Sequence, residues 1–179
     1  SVSIAQNSMI AMRCTASVTD PATSANVYWY VEYETSGNYF LMLGGTNTVH
    51  VGGTSTEFNQ CCGVSAATNA ATYALRASLA PAGGTLTRLT AATPDGLPGG
   101  GNTYDVSMRL NDSSDNLTAS ITNSALFTST TGSVALAAGD RMATKAVATS
   151  SPTARRVVTS LTIEPTTVGQ TWVGSGGHS

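Results

Sequence analysis

Charge is what this chain has least of. Charged residues make up 10% of its 179 residues, against about 25% in an average soluble protein. It holds a single lysine, Lys145, and its only adjacent basic pair is Arg155-Arg156. Nucleic-acid binders neutralise phosphates with clustered Lys and Arg. A net charge of −2 with no basic cluster argues against that class.

Cysteine and histidine are scarce too. Three cysteines, Cys14, Cys61 and Cys62, are an odd number and no disulfide framework. A bridge between adjacent Cys61 and Cys62 would be strained, so the thiols are expected to sit reduced, as in a cytosol. Zinc needs three or four Cys or His ligands at suitable spacing, and no such pattern is present. The two histidines are His50, in a short strand, and His178, in the Gly-rich tail. The sequence has no G-x-S-x-G turn, and a nucleophile with a positioned base and orienter is not legible. The expectation is therefore no enzyme, no metal and no cofactor. No apolar run approaches the roughly 20 residues of a membrane helix. No charged segment precedes an apolar one as in a secretory leader.

What fills the chain instead is Ser, Thr, Ala and Gly around a hydrophobic fraction of 41%. Small hydroxyl residues suit exposed strand faces and turns. The apolar positions alternate, which is the signature of half-buried strands. Alternation runs through Ile10–Val18, Val27–Tyr33, Thr85–Ala91, Tyr104–Leu110, Leu117–Ile121, Met142–Val147 and Val157–Ile163. Shorter strands are expected at Tyr39–Leu43, around Val49–Val51, and near Val134 and Leu136. Segment Glu57–Thr72 shows no clear period. Tyr73–Leu79 fits both helix and strand; its β neighbours and Pro81 favour strand. About ten strands at 8–12-residue spacing predict a β-sandwich or barrel.

Polar constellations are few. The turn Asn111–Asn116 carries Asp112 and Asp115, oxygen donors of the kind calcium prefers. It lacks the glycine and terminal glutamate of an EF-hand loop, so a hairpin turn held by Asx bonding is the expectation. Glu32 and Glu34 share a strand face, but a solvated edge or interface is the simpler role for them than a glycosidase pair. Tyr28 and Tyr30 alternate with Trp29 and should face outward, with Tyr39 in the same hairpin. Exposed tyrosines are enriched at protein contacts and also stack on sugars. Trp172 and Val173 are the apolar residues of an otherwise Gly- and Ser-rich tail. Tyr28, Tyr30, Tyr39, Trp172 and Val173 are the candidate interface residues.

The turns follow one another in a distinctive order. Pro81 to Leu86 opens a Thr-Leu strand, Pro98 to Gly101 forms a Gly-rich loop, and Arg109 to Asn111 closes a strand. Ala138 to Asp140 and Ser151 to Ala154 lead into the last two strands. In that order, residues 73 to 163 resemble a jelly-roll-like domain of tailed-phage virion proteins: capsid decoration or cement proteins, head fibres and tail-associated proteins. Residues 1–72 match nothing in that pattern.

The resemblance implies an all-β, antiparallel, jelly-roll-like β-sandwich over residues 1–164, with 1–72 as unrecognised N-terminal strands and 73–164 as family-like strands. Residues 165–179 would form an extended C-terminal arm. It implies a homotrimer on the capsid surface of a virion assembled in the host cytoplasm, with the major capsid protein as partner and neither nucleic acid nor membrane. A phage fibre or receptor-binding protein, or a carbohydrate-binding β-sandwich with a glycan partner, is the alternative.

Overall fold

The computed structural model describes residues 40–46, 56–61, 63–65, 76–80 and 82–167. All belong to one compact unit, Thr35–Ser179. The strands are β1 Phe40–Thr46, β2 Thr56–Gln60, β3 Gly63–Ser65, β4 Ser78–Leu79 and β5 Gly84–Ala92. They continue as β6 Thr103–Leu110, β7 Ser114–Ile121, β8 Phe127–Leu136, β9 Arg141–Thr149 and β10 Val158–Pro165. Among the described residues there is no helix. The N-terminal strands expected at 10–18 and 27–33 and the tail beyond Thr167 lie outside the described residues.

Two sheets form, in the orders β3-β1-β10-β5-β8 and β2-β9-β6-β7, with β4 also pairing with β9. The chain's two halves run against each other. β1 pairs with β10, β2 with β9, β5 with β8 and β6 with β7, every pair antiparallel. The ribbon so formed is rolled over two sheets, which adds the β10–β5 and β9–β6 contacts. That strand order is a jelly roll, an architecture built from two Greek keys. The one parallel pair among the described strands is β1 with β3.

The inner faces supply the core. Tyr104, Val106, Met108, Ile121, Met142 and Ala146 come from one sheet, and Leu86, Leu89, Leu161 and Ile163 from the other, all without solvent exposure. β10 alternates buried and half-buried residues along its length, as a strand with one core face must. β5 departs from strict alternation. Against β10, a register shift between Thr162 and Ile163 leaves Thr87 as an extra residue, whose hydroxyl donates to the Thr162 carbonyl at 3.2 Å. This bulge lets Leu86 and Leu89, three residues apart, both face inward. Tyr73–Leu79, expected as one strand, pairs only at Ser78 and Leu79 among its described residues, opposite Met142 and Arg141; Arg76 is in a turn.

One end of the sandwich is closed by two turns. Asn111 and Asp112 both adopt left-handed backbone angles, φ 51° and 58°, which Asn and Asp tolerate best among non-glycine residues. The Asn111 amide donates to Asp140 Oδ1 at 2.8 Å and its oxygen accepts from the Arg141 N–H at 2.8 Å. Asp140 Oδ2 accepts from the Ala137 N–H at 2.7 Å. The Asn111 side chain and the Ala137 N–H together hold the Asp140 carboxyl below the usual carboxylate range. A carboxyl depressed in the folded state stabilises the fold above its unfolded value, and that contribution disappears as pH falls through the folded one. Asp140→Ala should therefore cost about 1 kcal/mol near neutrality. It should also flatten the acid limb of melting temperature against pH below about pH 4. An unchanged acid limb would show that this turn does not carry the effect.

Candidate interaction surface

The two outer faces of the sandwich differ in kind. On the β2-β9-β6-β7 sheet a cluster of paired charges lies on β6, β7 and β9, while Phe58 and Ala143 on the same outward face are buried with Ala77 packed against them. Asp115 accepts from Arg109 Nη1 at 2.9 Å and from Lys145 Nζ at 2.5 Å. Arg109 Nη2 also donates to the Asp112 carbonyl at 2.9 Å. Desolvation pushes the Asp115 carboxyl up, but the hydrogen bonds from Lys145 and Arg109 outweigh it and hold the group low. Asp105 accepts from the Ser120 hydroxyl at 2.5 Å. The aspartates of the 111–116 turn thus face cations of this chain, and among the described residues no group of His, Cys, Asp and Glu could hold a metal ion.

The outer face of the other sheet is almost without charge. Its cross-strand rows are Ser160–Thr90–Ser129, Thr162–Arg88–Thr131 and Val158–Ala92–Phe127. Arg88 and Glu164 are the only charged residues on β5, β8 and β10. Among the described strands, β8 is the last of its sheet. From Phe127 to Ala135 its residues alternate between exposed and half-buried, interrupted only by exposed Gly132 and Ser133. Leu126 and Phe127 are 41% and 43% exposed. Long edges are normally blunted by Lys, Pro or a covering loop; β8 has neither Lys nor Pro.

Beside β8 the loops 93–102, 122–126 and 150–157 gather at one end of the sandwich. The Tyr104 hydroxyl donates to the Thr153 carbonyl, and the Thr153 N–H donates to the Pro98 carbonyl at 2.8 Å. Arg155 Nε donates to the Leu97 carbonyl at 3.0 Å. Gly96, at φ +139°, lies under that guanidinium; a β-carbon there would sit 2.8 Å from Arg155 Cζ. The Arg156 N–H donates to both Asp95 carboxylate oxygens at 3.2 and 3.3 Å. Between two of these loops lies an open hollow of about 480 Å³, lined by Gly101, Asn102, Thr103, Thr122, Asn123 and Ser124. The Asn123 carboxamide oxygen accepts from the Gly99 N–H at 2.7 Å, which ties its two rims together.

The candidate residues read from the sequence, Tyr28, Tyr30, Tyr39, Trp172 and Val173, lie outside the described residues, as do Glu32, Glu34, His50, His178, Cys14 and Cys62. Cys61 is buried in the core. The exposed Leu126 and Phe127 and the β8 face have no counterpart among the residues that apolar alternation singles out. A signal for them exists all the same: residues 116–139 are the longest stretch of the chain without a charge. No protein-family model matches this chain, and no curated protein or solved structure was found that does.

Proposed function

We propose that this chain is a structural virion protein, a capsid decoration (cement) protein. It binds the outer surface of a tailed-phage capsid as a homotrimer and ties neighbouring capsomers together. The observation that carries this reading is the contrast between the two outer faces. One face carries a cluster of paired charges; the other is hydroxyl-rich and nearly uncharged, and among the described residues it has an edge strand and two exposed apolar residues. A contact protein needs such a division of surfaces, because an interface core is depleted in charge relative to the rest of the surface. The jelly-roll strand order and the sequence of turns from Pro81 to Ala154 agree with it. A symmetric trimer matches local threefold positions of a capsid lattice.

The test is sedimentation of the purified chain together with binding to capsids lacking it. A species of three times 18.2 kDa that saturates expanded capsids is the expected result. A chain that stays off the capsids at micromolar concentration defeats the proposal.

The open hollow of Asn102, Thr122, Asn123 and Ser124 favours a second reading, a carbohydrate-binding module, because amides and hydroxyls suit sugar hydroxyls. Glycan binding lost on Asn102→Ala would support that reading in place of the first.

A further inference from the structure

We infer that β8, with Leu126 and Phe127 at its start, is the surface by which copies of this chain meet around their symmetry axis. The inference rests on the homotrimer of the proposed function and names the side chains that build it.

Symmetry supplies the argument. A residue beside a rotation axis faces its own copy, so a charge there would face a like charge. A neutral surface lets the axis pass without that repulsion. The longest charge-free stretch, residues 116–139, is 24 residues long and contains the whole of β8 and the loop before it. β8 is ten residues long, about 33 Å of sheet edge, and among the described strands it is the outermost of its sheet. β8 itself offers no charge by which a charged partner would be selected. Its match is a strand equally neutral and small-residued, and this chain provides one in every copy.

The apolar part is placed and held. The Thr93 N–H donates to the Leu126 carbonyl at 2.8 Å, and Phe127 pairs with Ala92 in register. Phe127 therefore extends an outer-face row already containing Ala92 and Val158. Three copies of Phe127 would close one end of the axis as an apolar plug, and the exposed hydroxyls of Ser129, Thr131 and Ser133 would continue along it. Nearby, Leu117 on β7 reaches over Gly132, where a β-carbon would come within 2.4 Å of its Cδ2. That contact lies on the core side of β8, where Leu117 packs against the main cluster. Arg88 lies one strand inward from the edge, beside Thr131. Exposed Leu79, on the other sheet, is no part of this surface.

The test compares the full chain with Phe127→Asp, and with Thr118→Asp as a control on the exposed outer side of β7. Sedimentation should show the wild type and Thr118→Asp as trimers, and Phe127→Asp as a monomer with an unchanged circular dichroism spectrum. A second measurement avoids any folding defect. Ser129→Cys should cross-link chain to chain under mild oxidation, because disulfides need Cα atoms within about 7 Å; Thr118→Cys and the wild type should not. A wild-type trimer that persists in Phe127→Asp, or fails to cross-link through Ser129→Cys, overturns this surface and leaves the decoration reading intact. A wild type that is monomeric at every concentration overturns the inference outright, while capsid binding separately decides the proposed function.

Discussion

Tyr104→Ala should be among the most destabilising single substitutions in the described sandwich, by about 4 kcal/mol, the range for removing a large buried aromatic. Tyr104 is the largest of the fully buried side chains and does two jobs. Its ring fills the sandwich between the first residues of β6 and the opposite sheet, in the same cluster as Ile121 and Leu161. Its hydroxyl donates to the Thr153 carbonyl and so fastens the 150–157 loop to the core. Thr153 in turn holds Pro98, so the loop before β6 is tied by the same residue. Tyr104→Phe keeps the ring and abandons the carbonyl, which should cost only about 1–2 kcal/mol. Urea or thermal unfolding of the two variants separates the jobs. If Tyr104→Phe were as damaging as Tyr104→Ala, the hydroxyl and not the ring would be the main support.

The same residue makes the fold sensitive to alkali. Desolvation by burial pushes the Tyr104 phenol up to about 12 from its ordinary value of 10.0. Arg155 opposes the shift, and Asp95 and Glu57 reinforce it. A phenol harder to ionise in the folded state contributes stability that is complete below pH 10 and is lost as pH rises towards 12, because the unfolded chain gives up the proton first. The loss across that window should approach roughly 2–3 kcal/mol. It should be absent from Tyr104→Phe, so the wild-type and variant stability curves should converge and then cross as pH climbs. Parallel curves through that range would assign the alkaline loss to other groups.

Tyr104 also shows what could be read from the chain. It was legible as the first inward residue of an alternating run, and β6 and β10 were legible for the same reason: most of their inward side chains are large and apolar, and most of their outward neighbours are not. β2 was not legible. Its Glu57, Phe58 and Asn59 are all buried, so it is covered on both faces and has no period to find, and two of the three are polar. β8 was recognised only near Val134 and Leu136, because in Phe127–Thr131 both faces carry small hydroxyl residues and alternation has nothing to alternate. The contact surface was illegible by the same cause. Patterns of apolar residues report what faces the core, and β8 is distinguished by what it shows to the outside. Charge spacing was the better guide there: the gap from Asp115 to Asp140 marks the edge strand that hydropathy could not.

The adjacent glycines of the turn before β5 should differ sharply in what they tolerate. Gly84 is buried at the start of β5, between Pro165 on β10 and Leu136 on β8. A β-carbon there would lie 2.7 Å from the Glu164 carbonyl oxygen and 3.1 Å from Ile163 Cγ2. The first of these is backbone in a paired strand and cannot swing aside, so Gly84→Ala must push β5 and β10 apart. That is overpacking, with an expected cost of about 2–3 kcal/mol, and it falls on the Ile163–Leu86 pair at the foot of the core. Gly83→Ala meets Thr166 Oγ1 at 3.2 Å and the Leu136 carbonyl at 3.5 Å. Thr166 is exposed and its side chain can rotate away. The loss of unfolded-state freedom on replacing glycine, about 0.4–1 kcal/mol in favour of the fold, then roughly cancels the crowding. Chemical denaturation of the two variants should place Gly83→Ala near the wild type and Gly84→Ala well below it. Equal midpoints would mean that the sheet yields at Gly84, and that the second glycine of this turn serves the chain's path and not the close approach of β5 to β10.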